Sequence, residues 1–445
     1  MKKRTFISII GVSTAFALIA SGCSGRSIDQ TSNDDEEEIV SVAKTSEMVE
    51  IQNKSTEEAV VTDHTDVTEL SKLTSCTTHT TIEENPSVID DIMSKMTLDE
   101  KIYQMFIVTP EALTNFNGSV TQAGDLTKSA IESTPVGGII YFSQNIESWQ
   151  QTYDMIHDSQ EYAQKSNNDI GMFFAVDEEG GTVARVGNGL RTYDSYDMEY
   201  YGESLDYDTV YSLGNTIGAS ISNLGFNLDL APVADVNLSP ENELGSRIFS
   251  SDPQVVADMS ANFVRGVEGC GVSATLKHFP GLGAGTGNTH NGSVVIDRTY
   301  DELQYNEFAA FSGGIQAGVD FVMVGHQITT ASGDDLPGDL SPTVVSQWLK
   351  SDLGFNGLVI TDSQSMGAIT ENYTPGDAAV MSIEAGVDII LMPYDLDNAV
   401  TSVKDAIGSG KISEERINES VYKILSKKFS LGLIKVEIPK VTTTN

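Results

Sequence analysis

The chain has 445 residues, with 26 Lys+Arg against 64 Asp+Glu for a formal net charge of −38, and apolar residues make up 40% of it. A chain that acidic excludes nucleic acid as a partner, because a phosphate backbone is repelled by it rather than neutralised. The length admits two or three domains or one large α/β barrel, and the three cysteines are too few to frame a fold of this size with disulfides.

In chain order, residues 1–22 read as an address rather than a fold. Lys2-Lys3-Arg4 is a positive start, Phe6 to Ala20 is mainly apolar, and Ala20-Ser21-Gly22-Cys23 is a small-residue cleavage site ending in cysteine. The segment resembles a bacterial lipoprotein signal. That resemblance implies cleavage before Cys23, acylation of its thiol, and a protein that works outside the cytoplasm, lipid-anchored to a membrane through Cys23; an ordinary secretory peptide is the alternative. No later apolar run reaches the roughly 18–20 residues that span a bilayer, so no second membrane segment is expected.

Residues 23–85 are expected to be a lipidated, acidic, disordered tether. From Ser24 to Asn85 there are 15 acidic and 4 basic residues, including the run Asp34 to Glu38. Such a composition cannot bury enough apolar area to offset its ordering entropy. Cys76 falls in this tether and Cys270 in Gly269-Cys270-Gly271; they can pair after export, but nothing in the sequence calls for it.

Residues 86–436 alternate short apolar runs with longer helical stretches, and a tail of 437–445 follows. The runs begin at Phe106, Gly138, Phe173, Leu228, Ser273, Phe321, Gly357 and Asp388. Near-continuous apolar runs fit strands buried on both faces, and the intervening stretches are mostly long enough for crossover helices. Eight of them predict a single α/β catalytic domain, a (β/α)8 TIM-type barrel. Polar residues close five of the runs: Asp177, Asp235, Lys277-His278, His326 and Asp362. Barrel enzymes gather their chemistry at these C-terminal strand ends. Singly, an Asp in such a place is as well read as a helix cap and a His as a structural residue; the recurrence is what suggests a common site.

The stretches Asp177-Glu178-Glu179-Gly180-Gly181-Thr182-Val183-Ala184-Arg185, Lys277-His278-Phe279-Pro280-Gly281 and Val359-Ile360-Thr361-Asp362-Ser363-Gln364-Ser365-Met366 resemble the signatures of family 3 glycoside hydrolases, nearest to the bacterial β-N-acetylglucosaminidase (β-hexosaminidase) branch. The resemblance runs from about Pro86 to Ile434. It implies a (β/α)8 barrel and retaining hydrolysis of terminal β-linked N-acetylglucosamine, typically from peptidoglycan fragments. It implies Asp362 as the nucleophile, His290 on a Gly-rich loop as the acid/base, and Asp177, Arg185, Arg247, Lys277 and His278 as sugar-binding groups. Retention needs a nucleophile and an acid/base on opposite faces of the sugar, and a carboxylate with a pKa near ~3.9 is already ionised at neutral pH.

The chain departs from the family at several points. Asn288 stands where the partner of the acid/base is usually Asp; it can orient His290 by hydrogen bonding but cannot stabilise an imidazolium by charge. Leu282 replaces a second His, and Glu178 and Thr182 replace Gln and Arg. No Asp or Glu occurs between Gly281 and Ile296, which leaves room for slow hydrolysis or for a carboxylate supplied by another loop. A zinc site built on His278, His290 and His326 is disfavoured, since none sits at a local ligand spacing and the family needs no metal; no cofactor is expected. The partners expected are a carbohydrate and, through the lipid, a membrane, with the chain a monomer. Two other functions stay open: an N-acetylglucosaminide phosphorylase, in which inorganic phosphate replaces water, and a non-catalytic sugar-binding lipoprotein.

Overall fold

The computed structural model describes Cys76 and residues 85–435. The predicted signal, the lipidated Cys23, most of the predicted tether and the tail fall outside the described residues.

The apolar runs form strands because each is buried on both faces. Eight parallel strands result: β1 (Phe106–Val108), β2 (Gly138–Ile140), β3 (Phe173–Val176), β6 (Leu228–Asp229), β7 (Thr275–Phe279), β9 (Phe321–Val324), β11 (Leu358–Thr361) and β12 (Ile390–Leu391). Between them lie four short strands, β4 (Glu178–Gly180), β5 (Val183–Ala184), β8 (Val295–Ile296) and β10 (Ile328–Thr329). The domain is α/β, with a five-stranded parallel sheet in the order β12-β1-β2-β3-β6 and a three-stranded one in the order β11-β9-β7. Isolated parallel bridges also pair Leu228 with Ser273, Val233 with Lys277, and Ile360 with Ile389.

The helices show the same local logic. Pro253–Glu268 starts on an Asp252 side chain that accepts the Gln254 N–H, has Pro in its first turn, and buries Val256, Met259, Phe263, Val264 and Val267 on one face. It lies close against Tyr207–Ser222 because Gly266 lacks a side chain; a Cβ there would stand 2.4 Å from the Tyr211 carbonyl. The last helix, Glu414–Ser430, is capped by Ser413 and buries Ile417, Val421, Ile424 and Leu425. Its Lys428 is fully buried at the N-terminal side of the strands, donating to Gln104 Oε1 at 2.7 Å and lying over the Phe173 ring. Burial pushes that ammonium down to about 7.

Cys76 and Cys270 are joined in a disulfide across a sequence separation of 194, with Cα atoms 5.1 Å apart. The sequence placed Cys76 in a free tether, and the bond instead ties it to the domain. A loop of that length closed in the unfolded chain corresponds to about 5 kcal/mol on the chain-entropy account.

Candidate active site

A cavity of about 380 Å³ opens at the C-terminal ends of the strands. Asp177, Arg185, Arg247, Lys277, His278, His290 and Asp362, seven of the residues expected from the sequence, line it together with Glu179, Glu243 and Thr289. Apolar side chains, among them Phe142, Leu230, Met323, Met366 and Met392, complete the wall. A concave site of this size with convergent polar groups on an apolar lining suits one sugar ring.

Local irregularities aim the polar groups. Asp177 directly follows β3, and the β4–β5 hairpin carries Glu179 back over the strand ends. Lys277 and His278 lie within β7 rather than after it; the β7–β9 ladder slips between Leu276 and Phe279, and both side chains line the cavity there. Asp362 follows β11, its backbone N–H donating to the Val324 carbonyl at 2.9 Å.

One end of the cavity is a charged lattice. Lys277 Nζ lies 2.9 Å from Asp177 Oδ1 and 2.6 Å from Glu179 Oε1, and Arg247 grips Glu179 through Nε at 2.8 Å and a terminal nitrogen at 2.7 Å. Arg185 stands 4.0 Å from the other Asp177 oxygen. Burial alone would raise the Glu179 carboxyl, but the Lys277 and Arg247 charges hold it down at about 2. Lys277 is raised for the converse reason: Asp177 and Glu179 outweigh its desolvation. These charges therefore persist through the neutral range, as directional partners for sugar hydroxyls. Glu179 falls within a sequence motif that assigns it no role; its position between Lys277 and Arg247 gives it one.

The nucleophile candidate, Asp362, lines the same cavity as this lattice. Asp362 Oδ1 accepts the Ser363 N–H at 2.7 Å. Burial works to raise its pKa, yet His326, His278, that N–H and Lys277 together keep it below the usual value. His278 is fixed by Asp235, whose Oδ2 meets its Nδ1 at 2.8 Å and its backbone N–H at 2.9 Å. Asp235 thus supports the site from behind rather than lining it.

The loop bearing His290 is held at root and tip. Asp235 accepts the Leu282 N–H, and the Gly283 carbonyl accepts from Leu238 and Ser239. Leu282, in place of the family's second His, is buried with Val233, Leu244, Ile248 and Val294. At the tip, the carbonyls of Thr289 and His290 accept from Ala368 and Gly367. The His290 side chain is exposed at the cavity rim, while Thr286, Gly287 and Asn288 form the exposed crest of the loop.

Asn288 does not do what the sequence suggested. Its Oδ1 accepts the backbone N–H of His290 at 2.9 Å, which sets the turn instead of holding the imidazole. The carboxylate of this loop comes from elsewhere: Glu243 Oε1 accepts both the Thr289 N–H at 2.9 Å and the Thr289 hydroxyl at 2.8 Å. Glu243 was missed because no local pattern links it to a residue 46 positions away. Glu243→Ala is expected to lower turnover of a nitrophenyl glycoside by about 10- to 100-fold through misplacement of His290, and Glu243→Gln, which keeps an acceptor oxygen, to lower it far less. Wild-type turnover in Glu243→Ala would show that the tether is idle.

The remaining departures are structural. Glu178 is buried and accepts the Val186 and Gly187 N–H groups at 2.8 and 2.7 Å and the Tyr193 hydroxyl; burial raises it to about 7. Thr182 donates its N–H and hydroxyl to Asp197.

Residues 97–427 match the glycosyl hydrolase family 3 N terminal domain, and the chain belongs to that family. It is 31% identical over 285 residues to a β-hexosaminidase of Stenotrophomonas maltophilia strain K279a, covering 62% of this chain and 82% of that one. Against β-hexosaminidase A of Pseudoalteromonas piscicida it is 29% identical over 320 residues, 66% of this chain, and spans about half (54%) of that relative's length. The solved structure of a family 3 β-N-acetylglucosaminidase from Paenibacillus sp. str. FPU-7 superposes with a TM-score of 0.71 at 32% identity, over 79% of this chain and 65% of that one.

Proposed function

We propose that the protein is a β-N-acetylhexosaminidase, a retaining glycosidase that releases terminal β-linked N-acetylglucosamine from peptidoglycan-derived or related oligosaccharides. The observation that carries this reading is a single sugar-sized cavity lined at once by an ionised Asp362, by His290 and by the Asp177–Lys277–Glu179–Arg247 lattice. The relatives named as β-hexosaminidases and β-N-acetylglucosaminidases support the choice of sugar.

In this mechanism the lattice and Arg185 bind the hydroxyls of the terminal sugar. Asp362 attacks the anomeric carbon while His290 gives a proton to the departing oxygen, leaving a glycosyl ester on Asp362. His290 then takes a proton from water, the water attacks the same carbon, and the electron pair of the ester bond returns to Asp362. Asn288 and Glu243 set the loop that delivers His290. The eight parallel strands form a closed (β/α)8 barrel in this reading; the bridges at Leu228–Ser273, Val233–Lys277 and Ile360–Ile389 support closure.

Glu243 also bears on the acceptor. A carboxylate next to the tip of the His290 loop disfavours inorganic phosphate and favours water, so hydrolysis is preferred to phosphorolysis. The chain acts as a monomer, exported and lipid-anchored through Cys23, and the Cys76–Cys270 disulfide suits an oxidising compartment.

The test is release of p-nitrophenol from its β-N-acetylglucosaminide with and without phosphate. Free N-acetylglucosamine at a rate independent of phosphate is expected. Phosphate-dependent sugar 1-phosphate would overturn hydrolysis, and sugar binding without turnover would identify a binding protein.

A further inference from the structure

His326 follows β9 and lies directly behind the nucleophile loop, its side chain wholly buried. Its two ring nitrogens have two partners: Nδ1 is 2.9 Å from Asp339 Oδ1, and Nε2 is 2.9 Å from the Ser363 carbonyl oxygen. A carbonyl has no proton to give, so Nε2 must donate. A carboxylate is likewise an acceptor, so Nδ1 donates as well. An imidazole that donates from both nitrogens carries a positive charge.

We propose that His326 is a built-in imidazolium beneath the nucleophile, a positioning residue that keeps Asp362 ionised and speeds its departure from the glycosyl-enzyme. The proposal rests on the reading of Asp362 as the nucleophile. The groups facing His326 are Asp339, from the turn Gly338–Leu340, and Asp362, from the end of β11. Gln364 Nε2 approaches the second Asp339 oxygen at 3.3 Å, and Tyr373 also faces Asp339. Burial lowers the imidazolium's pKa, but the two carboxylates and the Ser363 carbonyl override it and hold the group at about 9. Asp362 in turn is faced by His326, by His278 and Lys277 from β7, and by the Ser363 N–H.

The chemical consequence has a sign. A nearby cation lowers the basicity of Asp362, so the carboxylate stays ionised to lower pH and is a better leaving group when water attacks the glycosyl ester. The same contact fixes the carbonyl of Ser363, the residue next to the nucleophile in the chain.

Three measurements on the full chain test this. In protein labelled with ¹⁵N-histidine, one of the six histidines is expected to show two protonated ring nitrogens from pH 6 to 8, a signal absent from His326→Gln. One unprotonated ring nitrogen at neutral pH would overturn the proposal. In His326→Gln, the acid limb of kcat/KM is expected to move up by about 1 to 3 pH units. With an activated dinitrophenyl substrate, the same variant should show a phenolate burst and accumulate glycosyl-enzyme by intact mass; an unmoved acid limb without accumulation counts against the idea. Asp339→Asn keeps the ring but removes its main counter-charge, so it should behave as wild type at low pH and as His326→Gln at higher pH. That variant and the wild-type spectrum decide the matter if His326→Gln fails to fold. If Asp362→Ala retained turnover, the nucleophile assignment would fail while the ¹⁵N result stood on its own.

Discussion

Asp362→Ala is expected to abolish turnover, by about 10⁵-fold or more on the scale set by loss of a covalent nucleophile elsewhere. The geometry explains why the loss should be chemical and not structural. The Asp362 carboxylate accepts its hydrogen bond from the N–H of its own neighbour, Ser363, so removing it breaks no hydrogen-bonded bridge between elements. The melting temperature should stay near that of the wild type and sugar binding should persist, because the lattice of Lys277 with Asp177 and Glu179 is untouched. A small anion such as azide can enter the vacated side, and the product should then be the α-glycosyl azide, since a single displacement inverts the anomeric centre. A β-azide from this variant, or undiminished hydrolysis, would mean that another group attacks the sugar.

His290→Ala should separate substrates by their leaving groups. An alkyl or sugar aglycone needs a proton as its bond breaks, and general acid catalysis of that kind contributes about 10²- to 10⁴-fold. Losses of that order are expected on an N-acetylglucosamine disaccharide. A dinitrophenyl aglycone leaves without help, so its glycosylation step should be nearly unaffected, and the missing base should show instead as slow breakdown of the glycosyl ester. Azide should relieve that block and give the β-azide, because it attacks an intermediate already inverted once. The two azide products, α from Asp362→Ala and β from His290→Ala, place the two residues on opposite faces of the ring. Equal losses on both substrate classes would remove His290 from the acid/base role.

The eight strands were legible because parallel strands buried on both faces need unbroken apolar runs, and Phe106-Ile107-Val108 or Leu358-Val359-Ile360 can be little else. Their edges were not. Lys277 and His278 read as following a strand, yet they belong to it, because the irregularity that turns both toward the cavity depends on β9, 45 residues further on. Asp177, Lys277 and Asp362 were found because each closes an apolar run and falls within a family motif. Asp235 was placed near the site by its strand-end position, but its role was not legible, and Glu243 and Asp339 were not placed at all, since each works on a partner that only folding brings near: His278, Thr289 and His326. Asn288 shows the reverse failure. Position in a motif suggested contact with the imidazole, while backbone geometry two residues upstream sends its side chain to the peptide N–H.

The bond between Cys76 and Cys270 also sets how the molecule can be trimmed. The first described helix begins at Pro86, which invites a truncation just ahead of it. Such a fragment would leave Cys270 without its partner, in a site where it is 5% exposed. A protease cutting between Cys76 and Pro86 would not part the two pieces either, since the cystine still joins them. Shedding of this domain from whatever precedes Cys76 therefore takes a cut upstream of that residue, or a cut downstream followed by a reductant.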